Sequence, residues 1–367
     1  MIPISKPDLG KKEIDAIKKV ITSGWIMNGP ETEKFESEFA KFINAKYAVA
    51  VSSGTAALYL ALKTLDLKKN DEVITPSYSF IASSYVINLT QAKPVFCDVE
   101  ADSNMSLKNI QKKISQKTKA IIVVHQFGFP CDLDQIYAFA RKNKIAVIED
   151  AACALGSKYK GSYIGSKGKL VCFSFHPRKI ITTAEGGMIV SSNRKLIERI
   201  KSLRNHGLIR TNNVDLLTEL GFNLRITDIQ SAIGLVQLNN LKKFLSKRNS
   251  ISGFYTKSLK NNPYLDTVKL QSFSKPNWQS YPVSLKPKYL KIRDELIKIL
   301  KENGIIAKEG IYPIHKHPYY KNYKAKFENS EYLEKASMLL PIYPSLTAKD
   351  QRHVIRTLNQ GLFKLIK

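Results

Sequence analysis

The sequence is short of several things, and each shortage removes a class of protein. Only four of its 367 residues are cysteine: Cys97, Cys131, Cys153 and Cys172, with no Cys-x-x-Cys pair among them. That spacing argues against a zinc site and a disulfide framework, and predicts reduced thiols and no bound metal. No apolar run is long enough to span a bilayer, and Met1 to Asp8 carries no apolar leader core. A soluble, cytoplasmic protein with no membrane partner is expected. Acidic residues are scarce too: 31 Asp and Glu face 58 Lys and Arg, a formal net charge of +27. Such an excess suits nucleic acid, an anionic surface or an acidic substrate. The lysines are scattered along the whole chain, and no zinc-finger, RNP or helix-turn-helix signature accompanies them. Nucleic acid is therefore not the expected partner, and an acidic small molecule accounts for the charge as well. There is no internal repeat and no low-complexity tract.

What is present is an alternation. Apolar, β-branched segments at 47–51, 72–75, 94–98, 120–124 and 145–149 read as strands, and most are followed by a stretch with helical spacing. Strands separated by helices predict an α/β fold with a mostly parallel sheet covered on both faces. Ile14, Ile17, Val20 and Ile21 mark a first amphipathic helix that stops at Gly24, and Thr227-Asp-Ile-Gln230 opens a long helix, to about Leu241, with a capping box. From Lys242 the pattern changes to charged helices and Pro-interrupted strands, so residues 1–241 are expected to form a large domain and 242–367 a smaller α+β one.

The densest signal is the stretch Val171 to Gly187. A strand breaks at His176-Pro177 and resumes after Gly186-Gly187, leaving Lys179 in the turn. Schiff-base chemistry uses a Lys amine partly withdrawn from water, and a turn bounded by Pro and paired Gly constrains Lys179 more than a solvated helix would. Upstream, an apolar strand ends in Glu149-Asp150, and ligands of open α/β sheets bind at the carboxyl ends of strands. Alone, Asp150 is also an ordinary helix N-cap. A carboxylate at that point and a Schiff-base Lys 29 residues later suit pyridoxal phosphate, whose pyridine nitrogen the carboxylate keeps protonated. Ser52-Ser-Gly-Thr-Ala56 adds a small-residue turn into a helix, which is a phosphate site or plain capping chemistry.

Asp150-Ala-Ala-Cys-Ala-Leu-Gly156, Ser174-Phe-His-Pro-Arg-Lys179, Thr182-Thr-Ala-Glu-Gly-Gly187 and Gly221-Phe-Asn-Leu-Arg-Ile-Thr-Asp228 together resemble the DegT/StrS-type sugar-nucleotide aminotransferases. The resemblance covers nearly the whole chain in order. It implies a pyridoxal-phosphate transferase of fold type I, with a seven-stranded sheet sandwiched by helices and a smaller α+β C-terminal domain. It also implies a homodimer with shared active sites. Lys179 and Asp150 would be catalytic; Gly54, Thr55, Ala56 and Ser174 would hold the cofactor phosphate, with Asn223 reaching in from the other subunit. Phe80 would lie on the pyridine ring, and Trp25 and His315 would sit near the substrate. Cys153 departs from the family pattern, in which many members carry His or Gln against the cofactor's phenolic oxygen. A thiol is a weak donor.

The implied reaction moves an amino group from glutamate to the keto group of a nucleotide-diphosphate-linked keto-deoxyhexose. Lys179 itself favours transamination over the dehydratases in which His replaces it. The segments Lys179-Ile-Ile-Thr-Thr183 and Tyr312-Pro-Ile-His315 resemble those of the 4-aminotransferases of this family, and that resemblance implies a 4-keto-6-deoxy sugar. Another fold-type I enzyme, or a regulator that keeps the cofactor or binds nucleic acid without catalysis, are the competing readings.

Overall fold

The computed structural model describes residues 1–366. Seven strands build the main sheet: β1 Tyr47–Val51, β2 Glu72–Pro76, β3 Lys93–Cys97, β4 Thr118–Val124, β5 Ala146–Asp150, β6 Val171–Ser174 and β7 Gly187–Ser191. Their order is β1-β7-β6-β5-β4-β2-β3. The pairs from β6 through β3 are parallel, while β7 runs antiparallel to both β1 and β6. The expected α/β architecture with a mostly parallel seven-stranded sheet is what forms.

The helices in chain order are α1 Lys11–Ser23, α2 Pro30–Ile43, α3 Gly54–Lys63, α4 Ala82–Leu89, α5 Leu107–Gln111 and α6 Leu133–Lys142. They continue with α7 Arg194–Arg204, α8 Asp228–Ser258, α9 Arg293–Glu302, α10 Glu328–Ala336 and α11 Ala348–Ile366. Local chemistry sets several ends. Gly24 closes α1 at φ 74°, Pro30 starts α2, and the Ser53 side chain accepts from Ala56 N–H to cap α3.

The strand period of two divides the buried side chains between the two faces. Ile121, Val123 and Val147 join one core with Phe35 and Phe39 of α2 and Ile136 of α6. Ala120, Ile122, Val124 and Ile148 join the other with Leu58 and Leu60 of α3, Val86 of α4 and Ile197 of α7. Both faces are covered, which is why strands such as β4 read as continuous apolar runs.

A third core belongs to an antiparallel four-stranded sheet of β8 Leu265–Thr267, β9 Tyr281–Leu285, β10 Lys308–Glu309 and β11 Ser337–Leu340, in the order β8-β9-β11-β10. Its contributors include Tyr281, Val283, Met338, Leu340 and, from the chain start, Ile2, whose backbone pairs with Gly304 and Ile306. Helix α8 serves two cores: Leu238, Leu241 and Phe244 pack on the main sheet's side, Ile251 and Tyr255 on the smaller sheet's. The division expected at 241/242 falls inside this helix, which runs on to Ser258 because its buried stripe continues beneath the charged residues.

Candidate active site

The carboxyl edge of the main sheet gathers the chemistry-bearing residues. Ser53 and Gly54 follow β1, Ser77 to Phe80 follow β2, His125 follows β4, and Asp150 and Ser174 end β5 and β6. Because β7 is antiparallel, its first residue Gly187 pairs with both Ser174 and Val51 at this same edge. The turn that holds Lys179 therefore lies on it as well.

That turn is tied by its own backbone. Lys179 N–H donates to His176 C=O at 2.8 Å, and the Thr182 hydroxyl donates to Phe175 C=O at 2.8 Å. Ala184 sits at φ 67°, a left-handed conformation unusual for a residue with a Cβ. Lys179 is half-buried, and its Nζ donates to Cys153 Sγ at 3.1 Å. Burial holds the neighbouring His176 below the ordinary imidazole range.

Asp150 is buried at the end of β5. Its Oδ2 accepts from the Ser83 hydroxyl at 2.8 Å and its Oδ1 from Ala152 N–H at 3.1 Å. Lone pairs on both oxygens remain for a further donor. Ser83 in turn stands 3.0 Å from Ser79 Oγ, so α4 and the loop before it orient this carboxylate. Behind it, Glu149 accepts from Tyr137 Oη at 2.5 Å and from His125 Nε2 at 2.9 Å. Cys131 N–H donates to His125 Nδ1, which leaves the ring proton on Nε2. His125 thus serves as a buried brace for the strand ends. Burial pushes the Tyr137 hydroxyl well above its ordinary range.

At the start of α3, Ser53 Oγ takes the Ala56 amide, and no acceptor among the described residues takes the amides of Gly54 or Thr55. Two open amides at a helix N-terminus form an anion cradle. Gly54 lies so close to Ser174 that a Cβ on it would come within 2.7 Å of Ser174 Cβ, which brings the Ser174 hydroxyl beside the cradle.

The remaining expected residues stand differently. Phe80, 68% exposed, projects after β2. Asn223 is exposed, bridges Asn205 through backbone pairing and makes no side-chain hydrogen bond among the described residues to Lys179 or Asp150. Trp25 is 60% exposed and lies over Gly29, where a Cβ would overlap the indole. His315 is buried, with Nδ1 2.5 Å from Ser77 Oγ and Nε2 3.5 Å from Glu331. It reaches the carboxyl edge through Ser77. Ser79 and Ser83 were not legible as site residues, since serines in the stretch Ser77-Tyr-Ser-Phe-Ile-Ala-Ser-Ser84 carry no signal of their own.

The sequence profile of the DegT/DnrJ/EryC1/StrS aminotransferase family matches residues 7–359. The GDP-perosamine synthase of Escherichia coli O157:H7 is 36% identical over 362 residues, covering 98% of each chain. Among solved structures, Helicobacter pylori PseC, an aminotransferase of pseudoaminic acid biosynthesis, superposes with a TM-score of 0.94 at 26% identity and covers 99% of both chains. Spr1654 of Streptococcus pneumoniae, solved in its PLP form, gives 0.94 at 28% identity over the full length of both. On this agreement of profile, sequence and backbone over nearly its whole length, the chain belongs to the DegT/DnrJ/EryC1/StrS family and is a pyridoxal-phosphate-dependent sugar aminotransferase of fold type I.

Proposed function

We propose that the enzyme carries the amino group of glutamate to the keto carbon of a nucleotide-diphosphate-linked keto-deoxyhexose, a 4-keto-6-deoxy sugar by preference. The observation that supports it most is the common edge shared by the half-buried Lys179 amine, the Asp150 carboxylate and the two open amides of α3. Those three features match the aldehyde, ring nitrogen and phosphate of pyridoxal phosphate in chemical type. Bound there, the cofactor supplies an electron sink for charge developing beside the transferred nitrogen.

The chain's own residues do the rest. Lys179 Nζ holds the cofactor between turnovers and, when released, takes the proton from the donor's α-carbon and returns one to the acceptor side. Asp150 holds a proton on the ring nitrogen, with Ser83 keeping its carboxylate in place. The Gly54 and Thr55 amides and the Ser174 hydroxyl bind the phosphate, and Phe80 covers the ring. Ala56 contributes by keeping its amide on Ser53, which shapes the first turn. Cys153 Sγ, 3.1 Å from Nζ, lies beside the amine. Trp25 and His315 border the sugar-nucleotide side.

A second copy of the chain completes the site in this proposal. The hairpin Leu208–Thr211/Val214–Leu217 exposes Ile209, Val214, Leu216 and Leu217, and Leu220 and Phe222 beside it are 79% and 54% exposed. Apolar surface of that density is unusual on a monomer and suits a partner. Asn223 follows directly and would reach the partner's phosphate cradle. The relative named GDP-perosamine synthase supports a nucleotide-linked product.

The test is a panel of nucleotide-linked keto sugars incubated with glutamate and cofactor, read by mass spectrometry for the amino-sugar product and by sedimentation for the dimer. Amination of a 4-keto-6-deoxy sugar is the expected result. No amination with any keto sugar, or equal use of every amino acid tried in place of glutamate, would refute the proposal.

A further inference from the structure

Asn277-Trp278-Gln279, just before β9, has no motif and lies about 100 positions beyond Lys179 in sequence, yet it grips the backbone on both sides of the amine. The buried Asn277 side chain donates from Nδ2 to Cys153 C=O and to Leu155 C=O, both at 2.9 Å, and its N–H donates to Ser157 Oγ at 3.0 Å. Gln279 N–H donates back to Asn277 Oδ1 at 2.9 Å, while Gln279 Nε2 donates to Arg178 C=O at 3.1 Å. One side chain therefore holds the backbone of Cys153 and the next but one holds the peptide preceding Lys179. Those are the two residues whose Sγ and Nζ meet at 3.1 Å.

The segment is itself anchored on its other side. Arg248 of α8 is 2% exposed, has no carboxylate partner among the described residues, and donates from Nη1 to the carbonyls of Trp278, Gln279 and Ile342 at 3.0, 3.2 and 3.1 Å. Trp278 is held at φ 53°, a left-handed conformation that a bulky residue rarely adopts. Its ring is packed 5.4 Å from Tyr281 and 5.3 Å from Phe129. Strain of this kind persists only where the surroundings over-determine it, and it concentrates at sites where position matters. Gly128 belongs to the same arrangement, because a Cβ there would come within 2.0 Å of Asn277 Oδ1.

We propose that Asn277 and Gln279 are positioning residues: a clip, hung from Arg248 and the smaller sheet, that sets where the Lys179 amine and the Cys153 thiol stand at the carboxyl edge. The inference rests on Lys179 being the amine that carries the cofactor, and it assigns the smaller sheet a direct hold on the catalytic turn.

The test uses an accident of burial. Cys97, Cys131 and Cys172 are buried, and Cys153 alone is partly open, so a thiol reagent such as DTNB reports on Cys153 in the native, cofactor-free protein. Gln279→Ala removes the hydrogen bond to Arg178 C=O, together with the one that the side chain accepts from the Ser280 hydroxyl at 3.0 Å, from a half-buried position, and is expected to fold. It should raise the Cys153 labelling rate about five- to tenfold, the scale of one lost hydrogen bond. In the loaded protein it should move the pH midpoint of the visible cofactor band and lower kcat about tenfold, with the melting temperature within about 2 °C of wild type. Asn277→Ala should raise labelling further, at a cost in stability. An unchanged labelling rate and an unchanged pH midpoint in Gln279→Ala, whatever its melting temperature, would overturn the proposal. The labelling arm needs neither sugar nor amino donor, so a wrong substrate assignment leaves it readable.

Discussion

Replacing Asp228 should damage the protein far from where that residue sits in sequence. Asp228 opens α8, yet its carboxylate is 1% exposed and caps α2: Gly29, Glu31 and Thr32 donate their amides to it at 2.8, 3.1 and 3.0 Å, and the Thr32 hydroxyl at 2.6 Å. A lost cap costs about 0.5–2 kcal/mol, and each buried donor left unpaired about 1–3 kcal/mol. Glu31 regains water and some of the rest relaxes, so about 3–4 kcal/mol is a reasonable expectation for Asp228→Ala. At about 2.1 cal/mol/K per residue, unfolding this chain carries an entropy near 0.8 kcal/mol/K, so the melting temperature should fall about 4–5 °C. Asp228→Asn, which keeps one accepting oxygen, should fall less. The carboxylate also pins the end of the Trp25–Gly29 loop through the Gly29 N–H, while the substitution leaves in place the Asp228 N–H bond to Ile26 C=O at 3.2 Å and the Asn28 Nδ2 bond to Ile226 C=O at 3.4 Å, so the loop is loosened but not released. KM for the nucleotide sugar should therefore rise severalfold with kcat within about twofold. Calorimetry with steady-state kinetics decides it. A shift below about 1 °C for Asp228→Ala, or Asn performing no better than Ala, would refute the capping argument.

Three further outcomes follow from the site. Lys179→Ala should abolish covalent attachment of the cofactor, seen as the loss of the mass added by borohydride reduction, and lower turnover by about 10³-fold or more. Gly54→Ala forces a Cβ to 2.7 Å from Ser174 Cβ, so cofactor affinity in an absorbance titration should drop at least about tenfold while α3 still forms. Burial holds His315 below the usual imidazole range despite nearby Glu331. The unfolded chain then binds more protons at that residue, so stability present above about pH 6.5 is lost as the pH falls towards the lowered folded value. Urea midpoints at pH 7.5 and 5.5 should differ less in His315→Asn than in wild type.

Much of this enzyme was readable before any coordinates. The β/α alternation, the strand ending at Asp150, the tight turn around Lys179 and the Thr227–Gln230 capping box are local patterns, and local chemistry writes them into neighbouring residues. Tertiary structure decided what distance along the chain conceals. Asp228 opens its own helix, as the sequence indicates, but its carboxylate caps a second helix about 200 positions away. Helix α8 seemed to stop near Leu241 because charged residues interrupt its composition, yet its buried stripe passes from one core to the next. Ser83 on Asp150, Cys153 on Lys179 and the Asn277–Gln279 clip are hydrogen bonds between segments far apart in sequence. Hydrophobic period and turn residues determine which elements form. The partners of a single buried polar group depend on how those elements pack, and no period along the chain records that.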